Sequence, residues 1–219
     1  MKLLITGATG MVGSELLRQA IIDDDVTSII TLTRKPLDIQ HPKHKTIIHK
    51  DFLDYSTLGS LFAACDVCAW CLGVSQLQVS KEEYNVITYD YTMAAARAML
   101  VAHPKISFVF VSGEGADQTG KARTLFGRVK GKAEQDLMAL PFEKLIIARP
   151  AGIQPITKNS QAPFLYKVFY SLYPLFKILT PSKVITSVEL AKAILLAAKT
   201  KKGKIILNNK ELKGLVENG

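Results

Sequence analysis

The segment Thr6-Gly7-Ala8-Thr9-Gly10-Met11-Val12-Gly13, near the start of a 219-residue chain, spaces its glycines as Gly-x-x-Gly-x-x-Gly. Lys2 to Thr6 before it is a short apolar β run. Met11 to Ile22 after it sets Val12, Leu16, Leu17, Ala20 and Ile21 on one helical face. A strand, a glycine turn and a helix in that order predict a βαβ unit whose loop cradles a pyrophosphate. Gly7 allows the tight turn, Gly10 lets backbone amides approach the anion, and Gly13 lets the helix pack closely.

Working outward, strand-like and helical runs alternate. Strands are expected at Val26–Thr33, Thr46–His49, Val67–Leu72, Ile106–Val111 and Leu145–Ala148. Helices are expected at Ser56–Ala63, Lys81–Ala102 with Ser80 as cap, and Lys121–Leu140. This alternation predicts an α/β, doubly wound, Rossmann-type parallel sheet. After Pro150 the character changes. Ala151–Ser160 reads as a loop, Pro163–Thr180 as an aromatic helix, and Ser187 as the cap of an amphipathic helix carrying Val188, Ala191, Ile194 and Leu195. A short strand at Lys204–Leu207 and a short helix at Lys210–Val216 follow. We read residues 1–219 as one dinucleotide-binding domain, with 151–219 forming a small C-terminal substrate-side region.

Composition narrows the class. Hydrophobic residues make up 48% and charged residues 21% of the chain, enough for a sizeable core. The net charge of +9 favours anionic ligands, but no reader motif accompanies it, so no nucleic acid is expected. The apolar opening stops at Thr6, short of the ~7–15 residues of a signal-peptide core, and no run reaches the ~18 residues of a transmembrane segment. A cytoplasmic location is expected.

Cys65, Cys68 and Cys71 form a Cys-x-x-Cys-x-x-Cys run. An iron–sulfur cluster needs a fourth thiolate, and the sequence has none. Cys68 and Cys71 also fall on a strand, facing opposite ways. We read all three as buried free thiols. His41 and His44 lack partners at ligand spacing, so no metal is expected.

Cofactor choice is made at the end of the second strand, about 20 residues beyond the loop, where an acid would take the ribose of NAD. Thr33-Arg34-Lys35 stands there instead. Arg34 can grip a 2′-phosphate bidentately, which favours NADP(H).

The Thr-Gly-Ala-Thr-Gly-x-x-Gly loop resembles that of the extended and atypical short-chain dehydrogenase/reductase superfamily, and the likeness runs along nearly the whole chain. Cys71-Leu72-Gly73, Tyr89-Asp90-Tyr91, Val111-Ser112-Gly113-Glu114 and Val129-Lys130-Gly131 resemble in particular its CC3-like group of Tat-interactive oxidoreductases. The resemblance implies that Asp51 meets the adenine edge and that Leu72 and Gly73 pass the cofactor's ribose and phosphates. With Gly7, Thr9, Gly10, Met11, Val12, Gly13 and Arg34 they complete the expected cofactor contacts.

In reductases of this superfamily a tyrosine precedes a lysine by four residues. The lysine binds the nicotinamide ribose, the phenol protonates a carbonyl, and a serine orients the substrate oxygen. By this resemblance Lys130 is the lysine, with Lys132 as the alternative register, and Ser112 the serine, with Gly113 or Glu114 as alternatives. Phe126 stands where the tyrosine should be, keeping the ring and losing the proton. Glu114, if buried, or one of Tyr84, Tyr89 and Tyr91, could supply another acid. Arg149, before Pro150, either pairs with an acidic substrate or braces its loop.

The implied function is an NADP(H)-binding oxidoreductase reducing a small carbonyl or double bond with an unconventional proton source. The alternative is a non-catalytic dinucleotide-sensing or scaffold protein. Pro163–Lys177, aromatic with interspersed lysines, suits a lid or an oligomer contact better than peripheral membrane contact.

Overall fold

The computed structural model describes residues 1–155, 181–200 and 203–219. Its centre is a sheet of seven parallel strands: β1 (Lys2–Thr6), β2 (Ser28–Thr33), β3 (His44–Ile48), β4 (Val67–Trp70), β5 (Ser107–Val111), β6 (Lys144–Arg149) and, last in chain order, β9 (Gly203–Asn208). Their spatial order is β3-β2-β1-β4-β5-β6-β9, so the chain reverses its direction of winding between β1 and β4. In a sheet wound this way, ligands bind at the carboxyl ends of the two strands that flank the reversal. Here those ends are the glycine loop and Cys71-Leu72-Gly73.

Both faces of the sheet are buried, so its strands read as unbroken apolar runs. Alternate residues divide between two cores. Leu3, Ile5, Ala69, Val109 and Ile146 face α1 (Met11–Ile22) and α6 (Ser187–Lys199). Leu4, Cys68, Trp70, Phe108, Phe110 and Leu145 face the other way. There they meet α2 (Gly59–Ala63), α4 (Tyr91–Ala102) and α5 (Leu125–Ala139). That second face holds the aromatics, with Trp70 stacked on Phe108 at 6.1 Å between centroids. The doubly wound α/β reading holds.

Several local expectations are corrected. The helix over residues 81–102 is broken: α3 (Lys81–Asn85) passes through one π-helical turn, Val86–Asp90, before α4. Helix α5 begins at Leu125, where the Thr124 hydroxyl takes the Gly127 N–H at 3.0 Å. Residues 152–154 leave the expected loop to form β7 (Gly152–Gln154), parallel to β8 (Val184–Thr186). Thr186, and not Ser187, caps α6. Its hydroxyl takes Glu189 N–H at 3.1 Å while the Glu189 carboxylate takes Thr186 N–H at 2.7 Å. A last helix, α7 (Asn209–Asn218), packs against α6. The expected helix Pro163–Thr180 and the aromatic stretch Pro163–Lys177 lie outside the described residues.

Candidate functional site

Gly7 closes β1 at φ +66°, and a Cβ there would lie 2.5 Å from the Cys71 carbonyl oxygen. Only glycine turns the chain here so close to the end of β4. The Gly7 carbonyl accepts the Gly10 N–H at 2.8 Å, and α1 starts immediately with no side-chain cap and no acid in its first turn. The amides of Met11, Val12 and Gly13 are therefore left for a ligand, at the positive end of the helix dipole. At Gly13 the helix packs closely on the loop: a Cβ there would sit 2.3 Å from the Gly7 oxygen.

A cleft of about 820 Å³ runs from this loop along the carboxyl ends of β1, β2 and β4. Thr9 and Gly10 line one wall, Leu72 and Gly73 the opposite one, and the Leu72 N–H is tied to the Thr6 hydroxyl at 3.2 Å. At its far end stand Arg34, Lys35 and Lys50 with the Phe52 ring, and none of its lining residues is acidic. The Thr33 hydroxyl donates to the Lys35 carbonyl at 2.6 Å and fixes the turn carrying Arg34. Asp51 lies between two lining residues; its own carboxylate is exposed and accepts the Leu53 N–H at 2.9 Å. The glycine cradle, the free helix amides and the cationic end together fit a dinucleotide.

Beyond Gly73 the cleft opens into a cavity of about 510 Å³, whose lining includes Cys71, Tyr84, Ser112, Phe126 and Lys130. Helix α5 carries Phe126, Lys130 and Glu134 at successive four-residue steps, hence on one face. The Lys130 ammonium is buried, donates to the Val111 carbonyl at 2.8 Å and lies 4.5 Å from the centre of the Phe110 ring. Phe126 lays its ring tip over Gly113, where a Cβ would come within 2.7 Å.

Ser112, Gly113, Phe126, Ile153 and Lys183 line a further space of about 770 Å³ on the side of β7 and β8. Glu114 stands on its edge, 44% exposed and ion-paired with Lys183. It lacks the burial that its role as an acid requires. Of the three tyrosines, Tyr89 donates to Asp136 and accepts from Lys132, and Tyr91 packs near Phe52. Tyr84 alone of them lines the 510 Å³ cavity. Lys132, the alternative register, is on the surface with Asp136.

Sequence reasoning missed Glu134. It is completely buried and accepts the Ser112 hydroxyl at 2.5 Å, the Gln118 amide at 3.0 Å and a bidentate Arg149. Arg149 thus braces the interior. The signal available in sequence was Glu134's four-residue step from Lys130, together with an arginine at a strand end.

Burial lowers Lys130 to about 8, against a smaller opposing pull from Glu134. An unfolded lysine keeps its proton to about pH 10.4. Between these values the unfolded chain binds more protons, so stability should rise with pH across that window. Below pH 8 the buried cation costs about 3 kcal/mol by the same linkage. Lys130→Met should therefore be more stable than the wild type at pH 7, with the gap closing by about pH 10. Urea unfolding at three pH values measures this; parallel pH dependence in the two proteins would rule it out.

The three cysteines are free. Cys65 and Cys68 sit in the aromatic-side core and Cys71 packs against the other, and burial raises all three thiols, Cys71 to about 12. Among the described residues, no helix is long and apolar enough to cross a membrane.

Residues 3–131 match the family model for the NAD dependent epimerase/dehydratase family. The chain is 32% identical over 161 residues to the leucinostatins biosynthesis cluster protein T of Purpureocillium lilacinum, covering 70% of this chain but only 58% of that protein. It is 30% identical over 164 residues to protein FMP52, mitochondrial, of Candida albicans, covering 73% of this chain and 70% of that one. Among solved structures, MoeE5 in complex with UDP-glucuronic acid and NAD has a TM-score of 0.72 at 15% identity, over 95% of this chain and 76% of that one. At that identity the likeness is one of fold. The cytoplasmic expectation is overturned by the FMP52 relatives, whose names are mitochondrial.

Proposed function

The chain belongs to the NAD dependent epimerase/dehydratase family, within the extended short-chain dehydrogenase/reductase superfamily, and on that premise we propose that it binds NADP(H) and transfers hydride between it and a small carbonyl/alcohol pair. The observation that carries the cofactor choice is the trio Arg34, Lys35 and Lys50 at the adenosine end of an acid-free cleft. A 2′-phosphate there meets three cations; the bare ribose of NAD would find no carboxylate to hold its hydroxyls.

The remaining steps belong to this chain's own residues. Gly10 and the first-turn amides of α1 hold the pyrophosphate, and Leu72 and Gly73 form the opposite wall. Lys130 binds the nicotinamide ribose, and Ser112 meets the substrate oxygen. The bound dinucleotide supplies or accepts the hydride. Phe126 lines the cavity beside Ser112 but offers no proton, so the proton that accompanies the hydride at the substrate oxygen is exchanged with solvent water and not with the usual phenol. Residues 151–219 supply the substrate side of a single domain, a reading supported by Gly152, Ile153 and Lys183 on the wall of the 770 Å³ space. Phe126 also favours a second reading, a dinucleotide sensor without turnover.

Fluorescence titration with NADPH and NADH, followed by NADPH consumption with small carbonyls, tests the proposal. Arg34→Ala should weaken NADPH by about 10- to 100-fold, the worth of one or two charge-assisted hydrogen bonds, and leave NADH nearly unchanged. Equal weakening of both would remove Arg34 from the 2′-phosphate. Tight binding with no turnover would favour the sensor.

A further inference from the structure

The Ser112–Glu134 contact does more than brace the fold. Ser112 is at the floor where the 510 and 770 Å³ spaces meet, and it lines both. Its hydroxyl lies 2.5 Å from Glu134 Oε1, and a carboxylate has no hydrogen to give, so the serine must be the donor. The carboxylate is itself fixed. Arg149 holds both oxygens, and the Gln118 amide takes Oε2 at 3.0 Å. A serine hydroxyl has one hydrogen and two lone pairs. With the hydrogen committed inward, what Ser112 shows to the cavity is a hydrogen-bond acceptor.

We infer that Glu134 is a positioning residue that makes the substrate site select ligands presenting an O–H, the alcohol member of the pair, over the carbonyl member. A ligand hydroxyl donates to Ser112 Oγ, which donates to Glu134, and such chains polarise one another favourably. A carbonyl oxygen in the same place faces a lone pair and leaves the acceptor unmet. Apart from the Glu114–Lys183 ion pair at its edge, the side chains of that wall are mostly apolar, Met11, Leu77, Phe126 and Ile153 among them, so the ligand is a small, largely apolar alcohol. The inference rests on the hydride-transfer reading for the occupant of the neighbouring cleft.

Substituting Glu134→Gln should reverse the preference. Arg149 Nη2–H and the Gln118 amide bond the Oε2 position alone and would claim the amide oxygen there, and the Arg149 Nε–H, shared between Oε1 at 2.9 Å and Oε2 at 3.1 Å, would turn to it. The amide NH2 would then occupy the Oε1 position and donate to Ser112, whose hydrogen is released into the cavity. The shape is preserved, the Ser112 hydrogen bond reverses its direction, and Arg149 gives up its Nε–H bond to the Oε1 position. A merely structural role for Glu134 would weaken all ligands alike and leave their ratio untouched.

The test first titrates the protein with tetrahydro-NADPH, a dinucleotide that gives up no hydride. Failure of that step counts against the proposed function alone, and the probes are then compared on the protein without it. The probes are 1-phenylethanol and acetophenone, uncharged and alike in size, with affinities read by calorimetry or ligand-observed NMR. Wild type should bind the alcohol about tenfold more tightly, the usual consequence of leaving one buried polar group unpaired. In Glu134→Gln the ratio should fall to one or below. Ser112→Ala, which leaves the Glu134–Arg149 pair intact, should bring it to about one and serves if the glutamine variant does not fold. A ratio near one in wild type, a ratio unmoved by either variant, or no binding of either probe would overturn the inference.

Discussion

Gly13→Ala should weaken binding of NADPH and NADH alike by about 100-fold. The added methyl would stand 2.3 Å from the Gly7 oxygen and 2.7 Å from its carbonyl carbon, and both are backbone atoms that cannot swing aside like a side chain. Either α1 retreats from the loop or the Gly7 peptide turns. A turned peptide loses the Gly10 N–H···O bond of 2.8 Å, which shapes the cradle, and a retreating helix carries its free amides out of reach. Losing two amide-to-phosphate bonds of about 1.5 kcal/mol each weakens binding on the order of 100-fold. Overpacking also lowers stability by about 1–3 kcal/mol. The pyrophosphate is common to both cofactors, so no discrimination between them should change, in contrast to Arg34→Ala. Titration with both, with a thermal melt on the same sample, measures the effect. A variant that kept NADH while losing NADPH would move the pyrophosphate away from this loop.

That loop was readable in the sequence because its causes are local. A short apolar strand, three glycines and an amphipathic helix each leave a pattern within a few residues, and the sheet built around them buries both faces, which turns β4, β5 and β6 into plain apolar runs. What escaped depends on distant partners. Gly152-Ile153-Gln154 is too short to show a period and becomes a strand only by pairing with Val184–Thr186, more than two dozen residues on. Thr186 and Ser187 are both good caps. Only the reciprocal bond with Glu189 decides between them. Glu134 reads as one more solvent-facing charge on a helix until β6 brings Arg149 beneath it. Location was illegible for a different reason: the absence of an apolar run in the sequence says nothing about which compartment receives a chain.

The largest effect on stability is expected from Arg149→Met. The long apolar stem is kept, so packing changes little, but Glu134 is left fully buried with only Ser112 and Gln118 to donate to it. Removing one partner of a buried ion pair costs about 3–5 kcal/mol, because the survivor is a charge without compensation. That is a large part of the 5–15 kcal/mol by which a typical domain is stable at all. Adding Glu134→Leu to Arg149→Met should restore most of the loss, since a buried pair replaced whole by apolar groups is often neutral or stabilising. The double variant should nonetheless lose the preference for 1-phenylethanol over acetophenone, because nothing then turns the Ser112 hydrogen inward. Urea midpoints for the wild type, the single and the double variant separate lost charge compensation from lost packing. If the double variant is no more stable than the single one, the deficit comes from lost packing around Arg149. The Ser112–Glu134–Arg149 network is then a feature of shape and not of charge.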